Sequence, residues 1–360
     1  MLLYTDTMVK IILFLLLGAV IIFAIYIVLL VIQTKQENAY DVDLHLPVGT
    51  QDEALIRRYT SLCVPTTLPH VQYPKDIFGI SVVVRPEGEQ YFQLSKELGA
   101  TWMRTEFDWR GIERADGTYD WAQSDTTIAE MNARGFSALG NINYLPLHLH
   151  TWEDIRAHFK KFTRALAERY TPLGVNYYEI FNEPNLAGWG WLDKSTRPEP
   201  YIGEYAILLA IANAEIRAVN PEAVIVLGGI SSDDVTGMPY VAFTKSLLDL
   251  GSANCFDIYA FHPYGKEGKF GKTAAELTAL LSTYTPMYKP IWFNEYGTDQ
   301  NDRLAYAIES MIKERSAADA WFWFTLRDLR PNNRWNFGLL NYEFKKKPAF
   351  DLLKELLSSR

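Results

Sequence analysis

Ser137-Ala-Leu-Gly-Asn-Ile142, the run Glu153 to Tyr170, and Asn176-Tyr-Tyr-Glu-Ile-Phe181 follow one another along the chain and decide its fold class. The outer two are short β-rich runs bounded by turn signals, and the middle one has its apolar residues at helical spacing. Strand, helix, strand is the unit that builds a parallel sheet. Reading outward from it, the unit recurs. Further strands are predicted at Ile77–Val84, Thr101–Glu106, Ala223–Leu227, Phe256–Phe261, Pro290–Asn294 and Ala320–Thr325. Helical patterns lie at Tyr91–Leu98, Thr127–Ala133, Tyr205–Val219, Val241–Leu250, Ala274–Tyr284 and Arg303–Lys313, and Ala349–Leu357 closes the chain. Eight strands, each followed by a helix, predict an α/β fold of the (β/α)8 type, a TIM barrel. A doubly wound open sheet is the alternative, but it has no reason to stop at eight units, and no Gly-x-Gly-x-x-Gly turn occurs.

Upstream of the barrel the pattern changes. Ile11 to Ile32 is an uncharged, almost wholly apolar run. As a helix it spans ~33 Å at ~1.5 Å per residue, enough for the ~30 Å hydrocarbon layer. It ends Tyr26-Ile-Val-Leu-Leu-Val-Ile32 without the small residues of a cleavage site, so it reads as one transmembrane anchor rather than a signal peptide. Residues 1–10 form a short tail, 33–74 a tether with a short helix at Glu53–Tyr59, and 75–360 the barrel. Lys10 and Lys35 flank the run almost symmetrically, so the positive-inside rule barely orients it.

The 360 residues carry a net charge of −8, which argues against nucleic acid as a partner. Ten Trp, 21 Tyr and 19 Phe suit either a large core or a site that stacks on sugar rings. Two cysteines, Cys63 and Cys255, leave one disulfide or two free thiols equally open.

In a barrel of this kind the chemistry sits at the C-terminal ends of the strands. Those ends read Tyr178-Glu-Ile-Phe-Asn-Glu183-Pro-Asn185 after strand 4 and Trp292-Phe-Asn-Glu295-Tyr-Gly297 after strand 7, so two acids face one mouth. Cleaving a glycosidic bond needs one carboxylic acid to protonate the leaving oxygen. A retaining enzyme adds a carboxylate ~5 Å away to attack the anomeric carbon. Asn182-Glu183-Pro184 at strand 4 with a Glu ending strand 7 resembles the clan A glycoside hydrolases. Within that clan the chain is most similar to glycoside hydrolase family 39 and its membrane-anchored exopolysaccharide-hydrolase relatives, over roughly Phe78 to Pro348.

The resemblance implies Glu183 as acid/base and Glu295 as nucleophile of a retaining hydrolase, with no metal and no cofactor. It further implies that Arg104 holds the nucleophile ionised and that Asn182 binds the sugar 2-hydroxyl. His262 resembles a pocket residue, Tyr264 the tyrosine bonded to the nucleophile, and Trp323 the tryptophan that floors the cleavage subsite. Arg104 has a second reading, as the neutraliser of Glu179 inside the barrel. Trp109 with Asp108, Tyr144 with Asn143, and Trp189, Trp191 and Trp335 lie on loops of the catalytic face, as sugar-cleft walls or as loop packing. Arg327, Arg330 and Arg334 make the strand 8 loop basic. His148-x-His150 hints at a metal, but nearby Glu153 and Asp154 read as an ordinary first helical turn, so no metal site is predicted.

The expected substrate is a polysaccharide or oligosaccharide of the cell envelope or exterior, with residues 11–32 in the lipid bilayer and the barrel outside the cytoplasm. A noncatalytic sugar-binding barrel and a transglycosylase using the same residues are the competing readings. Sugar identity, endo or exo action and oligomeric state are not written in the sequence.

Overall fold

The computed structural model describes residues 49–63, 73–83, 85–186, 201–233, 237–331 and 336–359. The predicted span Ile11–Ile32 lies outside them, and no helix among the described residues is long and apolar enough to cross a membrane. All eight predicted strands form and close in chain order into one parallel barrel. They are β1 (Ile77–Ser81), β2 (Trp102–Asp108), β3 (Ser137–Asn143), β4 (Tyr177–Asn182), β5 (Val224–Ser231), β6 (Tyr259–His262), β7 (Ile291–Tyr296) and β8 (Ala320–Phe324). The outer layer comprises α2 (Gly88–Glu97), α3 (Trp109–Ile112), α4 (Ala122–Ala133), α5 (Trp152–Tyr170) and α6 (Ile202–Val219). It continues with α7 (Tyr240–Asp249), α8 (Phe270–Ser282), α9 (Leu304–Lys313) and α10 (Pro348–Ser358).

Strand alternation divides the core in two. Leu139, Val226, Ile258, Trp292, Ala320 and Phe322 point into the barrel and form a separate buried cluster at its lower end. Trp102 meets Trp292 edge-on and Tyr177 stacks on it, each at 5.5 Å, contacts worth ~0.5–1.5 kcal/mol beyond their buried area. One inward step further along the same strands come Arg104 and Glu179, buried beside Ser81 and Asn141. An apolar plug below a polar layer keeps water out from beneath, so charges in that layer act in a low dielectric.

Part of the expected tether belongs to the barrel's outer face. A short helix, α1 (Glu53–Thr60), starts at Asp52, whose side chain accepts from the amides of Ala54 (2.9 Å) and Leu55 (3.3 Å). The Thr50 amide donates to Glu204 on α6 at 2.8 Å, and the Thr60 hydroxyl donates to the Leu250 carbonyl at 3.0 Å. Cys63 and Cys255 are joined in a disulfide, which settles the alternative left by the sequence. Because the bridge closes a sequence separation of 192, the chain-entropy account gives it roughly 5 kcal/mol.

Candidate active site

The site begins with a break in β4. Tyr177 and Glu179 point inward, and strict alternation would send Phe181 inward too. Instead Phe181 has φ +63° and its ring stacks on Phe159 of α5 at 5.3 Å, outside the barrel. Glu183 also has a left-handed backbone, at φ +45°, a conformation that costs a non-glycine residue ~1–3 kcal/mol. Two departures within three residues turn both Asn182 and Glu183 toward the mouth. The Glu183 amide is held to the Gly229 carbonyl at 3.1 Å, and the Gly229 amide donates to Glu179 at 3.0 Å. A Cβ at Gly229 would lie 2.0 Å from His262 Nε2, so only glycine lets β5 pass behind the imidazole.

Arg104 is the hub. Its Nε and Nη2 donate to the two oxygens of Glu179 at 2.6 and 3.0 Å, Nη2 donates to Asn182 Oδ1 at 2.7 Å, and Nη1 donates to Glu295 Oε2 at 3.1 Å. Both roles foreseen for Arg104, partner of Glu179 and support of Glu295, are therefore held at once. Burial opposes its charge, but Glu179 and then Glu295 raise its pKa further still, so it remains cationic. The other oxygen of Glu295 accepts from the Tyr264 hydroxyl at 2.9 Å. Burial and the adjacent Glu295 push that hydroxyl well above its ordinary value, which keeps it a donor.

His262 Nδ1 lies 2.9 Å from Glu183 Oε1 and 3.9 Å from Glu295 Oε1. Burial resists the imidazolium, yet Glu295 and Glu183 together raise the His262 pKa. For Glu295 the balance runs upward: burial lifts its carboxyl, His262 and Arg104 pull it down, and the Glu183 charge lifts it again. One oxygen of Glu183, one of Glu295 and one nitrogen of His262 all lie within 4.8 Å of each other. Two carboxyl groups this close favour one shared proton, leaving one acid and one carboxylate.

Six of the predicted residues thus come together: Arg104, Asn182, Tyr264 and Glu295 by hydrogen bonds, and the hydrogen-bonded pair Glu183 and His262 through the 3.9 Å approach of His262 to Glu295. Two expectations need correction. Trp323 is fully buried, edge-on to Tyr296 at 5.8 Å, with its indole N–H on the Phe337 carbonyl at 3.3 Å. Since Ala320 and Phe322 face the barrel, Trp323 has the outward parity, and Phe324 is the partly exposed aromatic at the end of β8. Trp109 is fully buried as well, against Phe159 and Phe162 of α5 at 5.0 and 5.5 Å, and takes no part in the mouth. Tyr144 reaches the mouth, its hydroxyl donating to Glu106 at 3.2 Å. Asp108 caps α3 through Gly111. Trp189, Trp191, Arg334 and Trp335 lie outside the described residues. His150 is exposed, and His148 turns toward Glu113, its Nε2 3.5 Å from Oε1.

Sequence reasoning missed Glu106. It lies two residues beyond Arg104 on β2, so alternation alone places it inward. Burial and then the Asp108 charge push its carboxyl up to about 7, and its Oε2 is buried without a hydrogen-bond partner. A carboxylate disfavoured in this way weakens the fold as pH rises from about 4.5, where the unfolded group titrates, to about 7. Glu106→Gln should therefore match the parent in thermal melts below pH 4 and gain ~1–3 kcal/mol at pH 8. Equal melting shifts at both pH values would show that the Glu106 charge is not the cost.

The sequence model of the family described as cellulase (glycosyl hydrolase family 5) matches residues 70–336. Similar solved structures include a family 39 glycoside hydrolase from the gut symbiont Bacteroides cellulosilyticus WH2, 20% identical with TM-score 0.60, covering 78% of this chain and 63% of that one. A glucosidase from Croceicoccus marinus is 13% identical with TM-score 0.61, covering 82% and 69%. An exo-beta-1,4-mannosidase from Opitutaceae bacterium strain TAV5 is 16% identical with TM-score 0.54, covering 79% and 59%. At these identities the likeness is one of fold, and the chain spans less than two thirds of the first and third. No curated protein matches in sequence.

Proposed function

Because the chain belongs to the cellulase (glycosyl hydrolase family 5) family and is a glycosidase of clan A, we propose that it cleaves a polysaccharide by double displacement with retention. The observation that carries this reading is the approach of Glu183 and Glu295, with carboxylate oxygens within 4.8 Å. Retaining enzymes hold the pair ~5–5.5 Å apart, whereas inverting ones leave ~6.5–9.5 Å for a water between them.

In the first step Glu295 attacks the anomeric carbon while Glu183 gives its proton to the departing glycosidic oxygen. Arg104 and Tyr264, one on each oxygen of Glu295, favour the ionised nucleophile and orient it. Once the glycosyl ester forms, the Glu295 charge is gone and Glu183 is a carboxylate. It then takes a proton from water as that water displaces Glu295, which restores both groups. His262, at 2.9 Å, offers Glu183 a partner in either protonation state. Asn182, fixed by Arg104, serves the sugar 2-hydroxyl. Asn143 and Asn294 leave both ends of their buried amides unpaired, which suits hydroxyl-rich ligands.

The substrate belongs to the cell envelope or exterior, with Ile11–Ile32 as a single membrane anchor and the barrel outside the cytoplasm. The Cys63–Cys255 disulfide supports an oxidising compartment. The test is reducing-end release by the full chain in detergent, across bacterial exopolysaccharides and plant xylans, with Glu183→Gln and Glu295→Gln alongside. Release by the parent alone establishes polysaccharide cleavage that needs both carboxyl groups and names the polymer, and retention of the anomeric configuration in the first product distinguishes double displacement from inversion. Bound sugar without release from any polymer would favour a noncatalytic barrel.

A further inference from the structure

Outside the catalytic cluster, one buried carboxylate faces two imidazoles. Glu113 follows α3, where it bridges antiparallel to Tyr119; His148 lies in the loop after β3; His158 lies in the second turn of α5. The Glu113 side chain is wholly buried. Its Oε2 accepts from the Trp109 indole N–H at 2.6 Å, which leaves Oε1 as the oxygen aimed at both rings. His158 Nδ1 contacts Oε1 directly, and His148 Nε2 stands 3.5 Å from the same atom. That nitrogen is buried and has no hydrogen-bond partner. The three candidate ligand atoms all lie within 4.8 Å of one another.

We propose that Glu113, His148 and His158 bind a zinc ion, with water completing the shell. Two imidazoles and one carboxylate favour zinc over magnesium or calcium, which take oxygen ligands. Bonds of ~2.0–2.2 Å in a tetrahedral shell separate ligand atoms by ~3.4 Å, the spacing already present between His148 Nε2 and Glu113 Oε1. Without an ion, His158 satisfies the carboxylate and His148 Nε2 stays unsatisfied. With one, both imidazoles are used. Trp109 supplies the outer partner that such carboxylate ligands need, fixing Glu113 while it is itself clamped on Phe159 and Phe162. The ion would clip the β2 loop to the β3 loop, which Arg110 already joins through the Leu145 carbonyl at 3.1 Å. Tyr144, the neighbour of that carbonyl, reaches Glu106 in the catalytic mouth. The site is thus a brace for one wall of the cleft.

The experiment is calorimetric zinc titration of the full, chelator-treated chain, with Co(II) absorption as a second readout. We expect one ion per chain with Kd about 1 µM or below. His148→Ala and His158→Ala, both at partly exposed positions, should weaken binding about 100-fold or more, and Trp109→Phe about 10-fold. Glu183→Gln controls for the catalytic cluster and should leave the affinity unchanged. No saturable binding, or binding that survives both histidine variants, overturns the proposal. Loss in Glu183→Gln alone would move the ion to the catalytic centre and overturn it too.

Discussion

Glu295→Gln should lower kcat/KM by ~10⁴-fold or more, ~5 kcal/mol in the transition state, while the protein stays folded. The amide keeps the size and shape of the carboxyl but cannot form the glycosyl ester, so a chemical step is removed rather than slowed. Folding is insulated because Arg104 keeps both bonds to Glu179 and its bond to Asn182 when the Glu295 charge is lost. Burial already lifts the Glu295 carboxyl above its usual range, so the fold gains from replacing it with a neutral group. The melting temperature should hold or rise as activity disappears. Opposite signs for stability and activity are what a buried catalytic charge predicts and a structural ion pair does not. Activity above about 1% of the parent, with substitution verified by mass, would remove Glu295 from the nucleophile role.

The barrel was legible because its signal is periodic. Each strand repeats every two residues and each helix every 3.6, so elements were placed to within a few residues. The site was legible where that periodicity holds. Arg104 and Glu179 follow from inward parity on β2 and β4, and Glu106 would have followed from the same count. It was not legible where the strands break step. Inward Glu179 and inward Asn182 are separated by an odd interval, which the left-handed Phe181 makes possible. Inward Trp292 and Glu295 likewise differ by an odd interval, at an irregularity in the pairing of β7 with β8. No count along the chain supplies those shifts; family resemblance did. The same resemblance misplaced Trp323, where ordinary alternation prevails and faces the indole outward. The pairing of His148 with His158 and Glu113, rather than with His150, depends on how a loop, a helix and a turn converge. Neighbours in sequence carry no trace of it.

Glu183→Ala should separate the two half-reactions that Glu183 serves. With a poor leaving group the departing oxygen needs its proton, and the loss should be ~10²–10⁴-fold. With a highly activated aryl glycoside the departing phenolate needs none, so the glycosyl ester should still form and then accumulate, because no base remains to deprotonate water. A burst of phenolate followed by a slow steady state is expected. Azide needs no base. It should enter the space left by the carboxyl, discharge the ester and raise the steady-state rate. The product fixes the geometry: an azide with the substrate's anomeric configuration requires two inversions, and hence a covalent ester on Glu295. An inverted azide would mean direct displacement in a single step, for which carboxylate oxygens lying within 4.8 Å of one another leave little room. No azide product with any activated glycoside would take Glu183 out of the acid/base role. His262, left without its partner at 2.9 Å, would then be the group to examine as the proton donor.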